Sequence, residues 1–224
     1  MEQSTSFQRA PTVAEPRLSG RQAAARRNDA AILAAARAVF VANPGAPIAA
    51  VAERAGVNIS SLYRRFASKE DLLRQLCRDG LQAYVDIARA ALDDEAGDPW
   101  TVFATFMRRI VEADSHALTV KLAGSFQPTD DLWRAGIDAE QLHTQLVART
   151  QAAGALRADL DPEDLSHIFE QLTSVKAATP ERTTELRARY LALHLDALRA
   201  PGRTPLPGPP PTAGEQRARW LPTA

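Results

Sequence analysis

The chain has 224 residues, 45% of them apolar, with 27 basic and 27 acidic side chains and one cysteine. That composition excludes wholesale disorder and supports one large packed domain or two small ones. A single cysteine excludes an intramolecular disulfide and any multi-cysteine zinc site, and no apolar run approaches the ~20 residues of a membrane span, so a cytoplasmic protein is expected.

Zero net charge conceals an asymmetry. Residues 17–66 hold eight arginines against Asp29 and Glu53, a net of +6, which leaves −6 on the remainder. A basic head on an acidic body attracts phosphate locally, whatever the total charge.

Residues 1–20 mix Ser, Thr, Gln, Pro and Gly without periodicity and read as a flexible tail without a signal-peptide core. A helix over about 26–42 carries Ile32, Leu33, Ala36, Val39 and Phe40 on one stripe and stops at Asn43-Pro44-Gly45. A second, about 47–55, places Ile48, Val51, Ala52 and Ala55 at i, i+3, i+4 and i+7, and Gly56 supplies the turn. Asn58 is a good N-cap for a third, whose Leu62 and Phe66 face inward together. A short, hydroxyl-rich, arginine-bearing helix reached through a glycine turn suits the second helix of a helix-turn-helix, and so a reader of DNA. A fourth begins near Lys69 and keeps one apolar face from Leu72 to Leu92, long enough to join head to body. Cys77 falls on that face and reads as a small buried apolar residue.

Asp98-Pro99 caps and opens a helix carrying Phe103, Phe106, Met107 and Ile110. Residues 115–124 alternate at strand period, yet a lone strand has no partner, so a short helix is expected there. A longer helix runs over about 129–153, with Gly154 as its C′ residue. Asp161-Pro162-Glu163-Asp164 opens the next, with acids that complement the helix dipole, and the last ends near Arg199. This final helix has two apolar stripes, one of Leu186, Tyr190, Leu193 and Ala197, the other of Leu191, Leu195 and Leu198. One side is surplus to the core unless both face inward, so Leu165, Phe169, Leu172, Leu191, Leu195 and Leu198 are the expected dimer interface. Residues 201–224 hold seven of the fifteen prolines and read as a disordered tail. The expected fold is all-α, about nine helices, with a three-helix head over 21–72 and a larger helical body over 73–200.

Residues 26–76 resemble the DNA-binding domain of the tetracycline-repressor (TetR) family of bacterial transcriptional regulators. The resemblance rests on Ala30-x-Ile32-Leu33-x-Ala35-Ala36 with Val39-Phe40, then Val51-Ala52-x-x-Ala55-Gly56-Val57, then Leu62-Tyr63-x-x-Phe66-x-Ser68-Lys69-x-x-Leu72-Leu73. It implies a homodimer on a palindromic double-stranded operator, released by a small molecule, with repression as the usual mode. By position, Ser61, Tyr63, Arg65 and Lys69 match phosphate-contacting places, and Ile59, Ser60 and Arg64 fall where base edges are met. Arg21, Arg26 and Arg27 are candidates for a minor-groove or phosphate arm. Ser60, Ser61 and Arg65 stand where relatives often carry Gly, Thr and His, and Ala49 replaces a longer polar residue, so operator sequence does not transfer.

The resemblance also implies an effector pocket in the body. Candidate lining residues, with a ring or polar tip in apolar surroundings, are Trp100, Phe103, Met107, Phe126, Trp133, His143 and Phe169, and they suit a mostly apolar compound. No enzyme, cofactor or metal is expected. His116, His143, His167 and His194 are never within one helical turn of each other, and no phosphate-cradling or nucleophile-elbow motif exists. The rival readings are a helical adaptor that binds protein through the body and tail, or a small-molecule-binding protein that does not touch DNA.

Overall fold

Helix boundaries follow the caps that the sequence encodes. The computed structural model describes residues 20–114, 122, 124–202 and 204–220, with side chains from Asn28 onward. Among the described residues there are nine helices and no strand. They are α1 (Gly20–Ala42), α2 (Ile48–Ala55), α3 (Ile59–Arg65), α4 (Lys69–Asp93), α5 (Pro99–Ala113), α6 (Asp130–Ala152), α7 (Pro162–Ser174), α8 (Pro180–Leu198) and α9 (Ala213–Ala218).

Gly56 closes α2 in the left-handed region at φ 65°, where a Cβ would be strained, and so sets the angle to α3. Asn58 then caps α3, its side chain accepting from the Ser60 amide. Asp98, Asp161 and Thr179 cap α5, α7 and α8, each followed by a proline whose missing N–H costs nothing at the first helical position. The short helix expected over 115–124 lies outside the described residues apart from Leu122 and Gly124.

Two apolar clusters share α4. The head cluster joins Ile32 and Phe40 of α1, Val51 of α2 and Leu62 of α3 to Leu72, Leu73, Leu76 and Cys77 of α4, and it also takes in Leu122, Phe126 and Leu132. The head's packing therefore runs past residue 72 along α4. Burial pushes the Cys77 thiol up to about 12, which makes it an inert core group. The body cluster is built on Tyr84, Phe103, Phe106, Met107, Leu146, Leu165 and Phe169, with Tyr84 and Phe106 meeting edge to face at 5.8 Å.

The C-terminal segment differs from expectation. Residues 204–220 lie against the body rather than apart from it, and α9 opens with a capping box between Thr212 and Glu215. Proline does keep the stretch before α9 extended, but long-range polar contacts then fix it. Buried Arg157 donates to the Thr204 carbonyl at 2.6 Å, and the Leu206 amide donates to Asp159 at 3.0 Å. Arg219 grips Glu170 through two guanidinium hydrogen bonds of 2.7 and 3.0 Å.

Candidate DNA-binding surface and body pocket

α3 has seven residues and cannot hold its shape unaided. Leu62 anchors it, fully buried in the head cluster, and Phe66 seals its end. The opposite face is turned out. Ile59 and Tyr63, one turn apart, are 41% and 49% exposed, and Ser60, Arg64 and Arg65 are exposed beside them. Large apolar side chains on the surface of so short a helix are unspent contact area. Arg64 folds back to donate to the Ser61 hydroxyl at 3.0 Å, so an expected base reader and an expected phosphate anchor already touch.

The structure gives two of the expected phosphate contacts other partners within the chain. Arg65 pairs with Asp29 of α1 at 2.9 Å, which ties α3 to α1 while its side chain stays largely exposed. Lys69 donates to the carbonyls of Pro44 and Ala46 at 3.0 and 2.8 Å, and its ammonium lies 5.1 Å from the centre of the Phe40 ring. It is a strut that holds the α1–α2 turn. Removing it leaves two carbonyls without their charged donor, so Lys69→Ala should lower stability by about 1–3 kcal/mol in urea unfolding, beyond any effect on DNA. Arg26 and Arg27 belong to α1 by backbone, as does Arg21, and their side chains lie outside the described set. Arg54, at the end of α2, is exposed and was not singled out by the sequence pattern; among the described residues it forms no ion pair.

In the body, a cleft with a volume of about 180 Å³ opens between α4, α6, α7 and α9. Leu81, Tyr84, Trp133, Ile137 and His143 supply its apolar and aromatic walls, and Glu140 and Glu163 supply carboxylates. Of the seven expected lining residues, Trp133 and His143 are in place. Phe103, Met107 and Phe169 are instead sealed in the body core, because α5 and α7 turn those faces onto each other and onto α8. Phe126 belongs to the head cluster, and Trp100 sits at the other end of the body beneath the Arg199 guanidinium at 5.3 Å. His143 donates from Nε2 to the Pro162 carbonyl at 3.1 Å, and burial lowers its pKa, so its ring is neutral.

Sequence reasoning missed Tyr84, Glu140 and Glu163. Glu163 had the look of a dipole-complementing acid in the first turn of α7, yet it is 9% exposed. Burial raises its pKa, the Glu140 and Asp161 charges add to that, and the Arg217 charge opposes it. Neither its carboxylate nor the Tyr84 hydroxyl has a hydrogen-bond partner among the described residues, and both open into the cleft rather than being sealed from solvent.

The expected dimer residues also need correction. Leu165, Phe169, Leu172, Leu191, Leu195 and Leu198 are all buried in this chain's own core and leave no area for a partner. α8 instead turns its other stripe outward, with Tyr190 and Leu193 at 44% and 59% exposure. Among the described residues no group of His, Cys, Asp or Glu could hold a metal, and no helix is long and apolar enough to cross a membrane.

Two family models match the chain. The one described as bacterial regulatory proteins, tetR family, covers residues 32–76, and the one described as transcriptional regulator SbtR-like, C-terminal domain, covers residues 98–200. No curated protein matches in sequence. Among solved structures, a TetR transcriptional regulator of Streptomyces coelicolor is 26% identical, with a TM-score of 0.51 over 77% of this chain and 98% of its own. The ketosteroid transcriptional regulator KstR2 of Mycobacterium tuberculosis, 22% identical over 77% of this chain and 95% of its own, has a TM-score of 0.57. LfrR of Mycobacterium smegmatis, solved with proflavine, is 21% identical over 81% of this chain and 99% of its own, with a TM-score of 0.53. The head and body matches lie in the order and at the positions of the two packed clusters, and the chain belongs to the tetracycline-repressor family of bacterial transcriptional regulators.

Proposed function

We propose that the chain is a ligand-responsive repressor that binds a palindromic operator as a homodimer and leaves it when a small molecule enters the body. The outward face of α3 carries this reading: Ile59, Ser60, Tyr63 and Arg64 stand exposed on a helix held by a fully buried Leu62. In the major groove Arg64 takes a guanine bidentately, Ile59 meets a thymine methyl, and Ser61 and Tyr63 fix the register on phosphate. Arg65 contributes its exposed charge to the phosphate field from its place beside Asp29. The dimer forms through α8, on the outward stripe of Leu186, Tyr190, Leu193 and Ala197. That one structural relative is a ketosteroid transcriptional regulator and another is solved in complex with proflavine supports a body that accepts organic ligands.

The test is retardation of the DNA upstream of the protein's own gene in a gel. Specific retardation is expected, and Arg64→Ala should cost about 1–3 kcal/mol there and relax choice at one base pair. An equal loss on operator and random DNA would make Arg64 a phosphate contact only. No retardation at low salt would sink the regulator reading.

A further inference from the structure

The floor of the cleft is Glu163, nine-tenths buried at the start of α7, with Tyr84 beside it and Glu140 across from it on α6. A carboxylate so placed, with no hydrogen-bond donor from the chain and open only through the cleft, gains from a cation that enters there. The cation nearest to hand comes from the C-terminal segment. Arg217 of α9 lies at the mouth, its guanidinium 3.6 Å from Glu140, and its charge is felt at Glu163. Gln216 donates to the His167 ring at 3.0 Å, and Arg219 holds Glu170 on the outer side of α7. Trp220 then reaches past the cleft to meet Phe126 edge to face at 5.9 Å, at the rim of the head cluster. With this segment in place the space is about 180 Å³, below the ~300–1,000 Å³ usual for a small-molecule site.

We propose that residues 204–220 are a built-in lid on the body pocket, that Arg217 occupies the place of a ligand's positive charge, and that the ligand is an aromatic organic cation that displaces the lid. The aromatic walls of Trp133 and Tyr84 take the ring system, and Glu163 and Glu140 take the charge. A ligand without positive charge leaves Glu163 buried and unpaired. Displacement carries a signal, because lifting α9 also withdraws Trp220 from Phe126, and Phe126 packs with Leu122 and Leu132 in the same cluster as Leu62. The coupling of lid to DNA rests on the regulator reading; the coupling of lid to ligand does not.

The experiment uses the full chain, titrated by fluorescence with proflavine and with acridine, the same ring system uncharged at neutral pH. Proflavine should bind about tenfold or more tightly than acridine, and Glu163→Gln should remove that preference. Glu140→Gln, at a partly exposed position, should reduce it without a change in melting temperature. Arg217→Ala should tighten proflavine binding, because it removes the internal competitor. Saturating proflavine should speed tryptic cleavage after Arg217 and Arg219, followed by mass spectrometry. Equal affinity for the two dyes, or a preference that survives both glutamate substitutions, overturns the cation site. Cleavage slowed by proflavine, or binding weakened by Arg217→Ala, overturns displacement and makes α9 a fixed wall. Trp220→Ala should weaken operator binding without ligand. If the dye results hold but no DNA is bound by any variant, the regulator reading fails and the lid stands.

Discussion

Replacing Leu193 with arginine should make the protein monomeric and weaken operator binding by about 10²- to 10⁴-fold, the advantage that tethering gives a second half-site. α8 is apolar on two sides, and the structure separates them. Leu191, Leu195 and Leu198 fill the body core, and Tyr190 and Leu193 face outward with Leu186 half-covered one turn before Tyr190. A protein that left two large side chains on one exposed helical stripe without a partner would expose apolar area for nothing. In the proposed dimer a second copy covers it symmetrically, the same stripe on each side, and sets two α3 helices one DNA turn apart. A guanidinium at position 193 meets its own copy across that symmetry axis, so desolvation and like-charge repulsion act together. The measurement is light scattering on the eluting protein beside gel retardation. Leu193→Arg should keep the far-ultraviolet helical signal, because the site is outside the core. A variant that stays dimeric and binds operator normally would place the interface elsewhere.

The head was legible because its signals are local. The i, i+3, i+4, i+7 spacing of Ile48, Val51, Ala52 and Ala55, the glycine at 56 and the Asn58 cap each determine a boundary within a turn or two of chain. Two of the body helices were found for the same reason, through an aspartate followed by proline at 98 and 161, while the Thr179-Pro180 start of α8 went unread. Their boundaries came out within a few residues, but the use of their faces did not. Whether Phe103 lines a cavity or Phe169 meets a partner depends on how α5, α7 and α8 cross, and no spacing along one helix encodes that. Glu163 shows the limit best: a first-turn acid is usually a solvated dipole partner, and here the α4–α6 pair covers it. The C-terminal segment failed differently. Its prolines do keep residues 204–212 out of any helix, and the Thr212–Glu215 capping box, though local, went unread among them. What holds it to the body is Arg219 on Glu170 and Arg157 on Thr204, pairs separated by about fifty residues in which neither partner announces the other.

Leu62→Ala should cost about 2–5 kcal/mol of stability, the range for a fully buried leucine whose site cannot collapse completely. For a domain with only 5–15 kcal/mol in hand that is a large fraction, and at α3 the consequence is local as well as global. Seven residues form a helix in this chain because Asn58 caps them and Leu62 fixes them to Phe40, Val51 and Leu72 of the head cluster. With that side chain gone, α3 is held to α1 and α2 only by Phe66 at its end and by the exposed Arg65–Asp29 pair, which contributes at most about 1 kcal/mol. DNA retardation should therefore be lost at temperatures where the body still gives most of its helical signal. Ile59→Ala is the contrasting variant, one turn away on the outer face. It removes an exposed side chain, so urea unfolding should shift little, and the loss should appear only as weaker and less selective operator binding. The pair separates holding the helix from reading with it. If Ile59→Ala unfolds as easily as Leu62→Ala, or if Leu62→Ala binds operator as tightly as the parent, the division between inner anchor and outer reader is wrong.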